Sequence, residues 1–93
     1  MKINKKQEET IVNFGVFDYT SEQIAIILEI HQNIIDLELK NKDSELNKLL
    51  LKGKNLADYV IDLKLFELAK AGDIQALDRL EKRKHERQYN IKE

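Results

Sequence analysis

Apolar residues in the first forty positions recur at helical spacing, broken by two short interruptions. Ile11, Val12 and Phe14 close a first helical stretch over residues 4–14. Gly15 permits a turn, and the pattern predicts a loop over 15–20 with Val16, Phe17 and Tyr19 pinned to the core. Thr20 and Ser21 then offer side-chain oxygens to the free amides of a helix start. Ile24, Ala25, Ile27 and Leu28 fall on one face, which predicts a second helix over 21–29. Glu29-Ile30-His31 breaks the period, and Ile34, Ile35 and Leu39 resume it over 32–40. Two short helices with a three-residue break have the form of a helix-turn-helix.

Asn41-Lys42-Asp43 is a polar break, and Ser44 suits the N-cap of the next helix. From 44 to 71 the pattern stays helical. Leu46, Leu49, Gly53, Leu56, Val60 and Leu63 keep the alternating three-and-four spacing of a coiled-coil seam. Leu50, Ala57, Ile61, Leu65 and Leu68 form a second stripe on another face. Gly53 either kinks this run or lets another backbone come close, so the run is one bent helix or two short ones. Gly72-Asp73 is the clearest punctuation: Gly72 suits a left-handed helix end and Asp73 the next N-cap. A last helix is predicted over 73–87, with Ile74, Leu77 and Leu80 inward and a polar, solvated end beyond. Residues 56–71 are apolar on most helical sides. Such a helix is either the covered centre of the fold or is completed by a second copy of the chain.

Ninety-three residues without proline or cysteine suit one small helical domain and exclude a disulfide framework or a thiolate metal site. The expected class is therefore all-α, with about five to six helices: a helix-turn-helix at 15–43 and a helical hairpin at 44–88 that serves oligomerisation. No apolar run is long enough for a membrane span, and the basic start has no apolar stretch after it, so a cytoplasmic protein is expected. The net charge of −1 hides an uneven distribution: +3 over 1–6, −6 over 7–51, −1 over 52–78 and +3 over 79–93. DNA affinity usually rests on a basic surface. Here the helix-turn-helix lies in the acidic middle.

These placements define the candidate site residues. Gln32, Asn33 and Asp36 occupy the exposed early positions of the third helix, where Gln or Asn can pair with adenine. His31 at the turn could meet a phosphate or cap that helix. Ser21 at the second helix start, with Lys40 and Lys42, could add phosphate contacts. Polar residues on a solvated helix would produce the same pattern. Leu46, Leu49, Leu56, Val60 and Leu63 are the candidate oligomer interface. Arg79, Lys82, Arg83, Lys84 and Arg87 could bind nucleic acid or an acidic partner, although basic residues late in a helix also complement its dipole. Lys2, Lys5 and Lys6 could form an arm along DNA. His31 and His85 have no third ligand at metal spacing, and Asp58/Asp62 reads as a solvated i, i+4 pair. Phosphate-loop, Ser/His/Asp and Cys/His patterns are missing, so neither an enzyme nor a cofactor is expected.

The order of these segments resembles the small subunits of bacteriophage terminases. Thr20, Gln23, Ile24, Ala25, Leu28 and Ile30 fit the family's T-x-x-Q-I-A-x-x-L-G-I-S segment. Leu46, Gly53-Lys54 and Ala57 stand in the places of a second segment, F-x-x-A-x-x-x-G-K-x-x-A. Leu65, Ala69, Gly72-Asp73, Ala76 and Leu80 fit L-x-x-x-A-x-x-G-D-x-x-A-x-x-x-L. The resemblance covers about residues 19–87. It implies recognition of a packaging-start site in double-stranded viral DNA, assembly into a ring of identical subunits, and delivery of DNA to a large ATP-driven motor subunit. Two rival expectations share the pattern: a small transcription regulator with the same helix-turn-helix, and a helical adaptor that binds protein and not DNA.

Overall fold

A computed structural model describes the backbone of residues 1–91 and the side chains of residues 1–88. The expectation of a solvated helix end is therefore answered only to residue 88. The described residues form five helices: α1 Lys5–Phe17, α2 Ser21–Leu28, α3 Gln32–Lys40, α4 Glu45–Lys70 and α5 Ile74–Ile91. It is all-α, as the patterning predicts. It divides into two compact units, residues 1–57 and 58–93, with the division inside α4 and not at the polar break 41–43.

In the N-terminal unit each helix contributes one fully buried side chain to a shared core: Ile11, Ile24, Ile35 and Leu46. Phe14 and Ala25 complete it, and Leu39, Leu49 and Leu50 pack around it. α1 starts with a capping box in which Asn4 and Gln7 satisfy each other's backbone amides. It runs three residues beyond the predicted end, and residues 15–17 are helical. Gly15 serves there as a contact point: a Cβ on it would lie closer than 3.0 Å to the backbone of Leu50, and one on Gly53 would meet Val12 and Gly15 in the same way. α1 and α4 therefore meet backbone to backbone at these two glycines. This settles the role of Gly53 as close approach, and residues 45–70 are one helix. Phe17, expected in the core, is 61% exposed. Tyr19, also expected in the core, is exposed as well and stacks on Phe14, with ring centroids 5.6 Å apart.

Three helices end in the same motif. Tyr19 N–H donates to Phe14 C=O, Ile30 N–H to Ala25 C=O and Asp73 N–H to Leu68 C=O, each six-to-one bond accompanied by a tighter one inside it. The motif needs a left-handed residue. Gly72 supplies one with φ 102°, but α1 and α2 use Asp18 at φ 59° and Glu29 at φ 56°. Glu29 stands where the terminase-like segment carries glycine, and it adopts the glycine's conformation at a cost of about 1 kcal/mol.

The C-terminal unit is an antiparallel helix pair. Asp58 and Asp62 on α4 meet Arg83 and Arg87 on α5, a register centred on the Gly72–Asp73 turn. Asp73 caps α5 by accepting from Ala76 N–H at 3.0 Å. The same register sets Ala76, 3% exposed, level with Ala69. No helix among the described residues is long and apolar enough to cross a membrane.

Candidate nucleic-acid interface and open hairpin faces

α2 and α3 pack on each other across the turn 29–31, and local hydrogen bonds fix both ends of the pair. Thr20 is the N-cap of α2: its Oγ1 accepts from Gln23 N–H at 3.2 Å, and the Gln23 side chain accepts from Thr20 N–H at 2.8 Å. Ser21 Oγ accepts from Gln32 Nε2 at 3.4 Å, which ties the first residue of α2 to the first of α3. His31 is the N-cap of α3, with its Nδ1 accepting from Asn33 N–H at 3.1 Å. That bond requires the tautomer with the proton on Nε2, leaving an outward N–H donor.

The far end of α3 is held to α4. Asn47 Nδ2 donates to the carbonyls of Glu38, Leu39 and Asn41 at 3.3, 3.0 and 2.7 Å. Ser44 Oγ donates to Glu38 C=O at 2.9 Å, and also accepts from Asn47 N–H as the predicted cap. The orientation of α3 is thus set at both ends by side chains of α2 and α4.

Of the predicted site residues, Ser21 and Gln32 are engaged with each other, and His31 is engaged as a cap. Asn33 and Lys40 are exposed on α3, and Lys42 is exposed in the turn after it. Patterning missed two neighbours. Leu37, one turn beyond Asn33, is 66% exposed, and Ile34 is 45% exposed. On α2, Ile26 is 68% exposed. The signal for Leu37 was present in its spacing, since it falls out of step with Ile35 and Leu39. Two acids complicate α3: Asp36 is half-buried, and Glu38 accepts from the Met1 ammonium at 3.3 Å.

Leu46 is fully buried and Leu49 packs on the same core, so these two expected interface residues belong to the chain's own interior. The seam is divided: its first half faces the N-terminal core, while Leu56, Val60 and Leu63 are exposed at 41%, 61% and 39%. Tyr59, Ile61, Phe66, Leu68, Ile74 and Leu77 are exposed as well. Ile74 and Leu77, expected inward, are not covered because α5 turns Ala76, Leu80 and Arg83 toward α4. Lys70 Nζ lies 4.7 Å from the Phe66 ring centroid and shields part of it.

The basic run on α5 is largely occupied. Arg83 Nε donates to Asp62 at 2.6 Å and Arg87 to Asp62 at 2.8 Å, while Lys84 pairs with Glu81. Asp62 is therefore the anchor of the hairpin, whereas Asp58, its side chain 57% exposed and 3.3 Å from Arg83, faces water as expected. Partial burial alone would raise the Asp62 carboxyl, but hydrogen bonds and charge from Arg83 and Arg87 outweigh it and hold the group below the usual carboxylate range. The same bond to Asp62 pushes the Arg83 guanidinium up. Arg79 and Lys82 form no ion pair among the described residues. They line a shallow groove with Ile61, Leu65, Arg83 and Glu86. Among the described residues no group of three or more potential ligands stands close enough to hold a metal ion. No protein-family model, curated protein or solved structure matches the chain.

Proposed function

We propose that the chain is a DNA-binding protein that works as a homo-oligomer, in the manner of phage terminase small subunits. In this reading α3 enters the major groove, and the helix pair of residues 58–88 joins copies of the chain. The protein itself carries out no chemistry; an ATP-driven motor subunit would be its partner in genome packaging. One observation carries the reading. A helix-turn-helix whose second helix leaves Asn33, Leu37 and Lys40 open occurs in the same chain as a hairpin with eight large exposed apolar side chains. Surface of that extent on a small protein marks a contact with protein.

A second reading is favoured by one specific observation. Leu37, Ile34 and Ile26 are apolar and exposed within a segment of net charge −6 over residues 7–51. An adaptor that docks protein through α2 and α3 would carry such a surface. Sedimentation velocity of the intact chain, alone and with a generic duplex at low salt, tests both readings. A multimer that co-sediments with DNA supports packaging-type recognition. A plain dimer that prefers palindromic sites supports a transcription regulator. A multimer that leaves DNA behind supports the adaptor, and a monomer removes the oligomer altogether.

A further inference from the structure

Taking α3 as the groove-entering helix, as proposed above, we infer that it reads A·T base pairs through Asn33 and Leu37, and that these two side chains set the base preference. The inference starts from which side chains of α3 remain available. Gln32 is bonded to Ser21, the His31 Nδ1 holds the Asn33 amide, and Glu38 faces the Met1 ammonium. Asn33 and Leu37 stay exposed and lie one helical turn apart on one face.

The major-groove edge of an A·T pair presents an acceptor and a donor on adenine and a methyl group on thymine. The amide of Asn33 matches the adenine edge in two bonds. Leu37 has no polar atom, and its complement in the groove is the thymine methyl, against which its 66% exposed side chain would lose contact with water. A G·C pair calls instead for a long cationic donor on guanine or a carboxylate accepting from cytosine N4, and of the two acids of α3 Asp36 is half-buried and Glu38 faces the Met1 ammonium. α3 has no arginine, and its one lysine, Lys40, lies in the last turn, two turns beyond Asn33. An acidic flank such as Asp36 weakens phosphate attraction, so discrimination by short polar and apolar contacts carries a larger share of recognition.

Fluorescence anisotropy with the intact chain tests this, using two mixed-sequence duplexes of equal length, one A·T-rich and one G·C-rich, over a range of salt. The A·T-rich duplex should bind about tenfold tighter. Asn33→Ala and Leu37→Ala should each reduce that ratio several-fold while leaving the salt dependence unchanged, because neither touches a phosphate. Lys40→Ala should weaken both duplexes equally and lower the salt slope by about 1. Circular dichroism should show all three variants folded, since each side chain is exposed. Equal binding to both duplexes, or a preference that survives both Asn33→Ala and Leu37→Ala, overturns the inference and leaves DNA binding standing. Absence of binding to either duplex at low salt overturns the DNA reading itself and returns Leu37 to a protein contact.

Discussion

In residues 1–57 four helices surround one core, and each buries one side chain completely: Ile11, Ile24, Ile35 and Leu46. In residues 58–88 two helices face each other, the one buried apolar residue is Ala76, and eight large apolar side chains remain open. The difference is geometric. A helix in a four-helix cluster can be covered from several directions, whereas a hairpin covers one side of each member. The hairpin is held in register by polar devices: the Gly72 turn, the Asp73 cap and the arginines on Asp62. Its apolar sides stay open. Under the function proposed above, the N-terminal unit is a self-contained reader and the C-terminal unit a joining piece.

The largest expected effect breaks the self-contained unit. Gly53→Ala places a methyl against the α1 backbone, which has no flexible side chain to yield, and should destabilise the chain by about 3 kcal/mol. Chemical denaturation monitored by circular dichroism measures it. A loss below about 1 kcal/mol would mean that α1 and α4 separate easily.

Next in size is the joining face. Val60→Asp lies on an exposed position, so the helices should persist while the mass in solution falls to that of a monomer. An unchanged mass, with the fold intact, would move the contact away from this face of α4. Val60 serves the comparison better than Leu46 or Leu49, whose replacement would disrupt the core instead.

Asp62→Asn should weaken the hairpin by about 1 kcal/mol, because the pairs are only partly buried. The effect has a defined pH dependence. The Asp62 carboxyl titrates near its ordinary 3.8 in the unfolded chain and lower in the folded one. Its contribution is therefore full above that value and is lost as pH falls through the folded value. Wild-type stability should drop on this limb, and Asp62→Asn should flatten the drop. A difference between the two proteins that stays constant down through pH 3 would contradict the pairing.

The smallest expected effect concerns the turn. Glu29→Gly relieves a left-handed residue and should stabilise the chain by about 1 kcal/mol without altering α2 or α3. Thermal unfolding measures it, and a lower midpoint would mean that the Glu29 side chain makes a compensating contact.

The all-α class with about five to six helices, a cap at Thr20 or Ser21 and the Gly72–Asp73 turn were legible in the sequence because each depends on residues a few positions apart. The anchoring role of Asp62 was not, because its partner Arg83 lies 21 residues away. The division of the seam was hidden for a similar reason: Leu46 and Leu63 obey one period, but only Leu46 is buried in the N-terminal core. For the candidate site, patterning placed Gln32, Asn33 and Asp36 on the open side of α3; the first two are exposed and Asp36 is half-buried. It did not show that Gln32 is bonded to Ser21, since that bond arises only when two helices pack.

The most direct test of the central claim is an NMR titration of the intact chain with a generic DNA duplex at low salt. DNA binding through α3 should concentrate the shifts on Ser21, on Asn33, Leu37 and Lys40, and on Lys42, with the backbone of residues 58–70 unmoved. Shifts confined to α5, or no shifts at all, would contradict it.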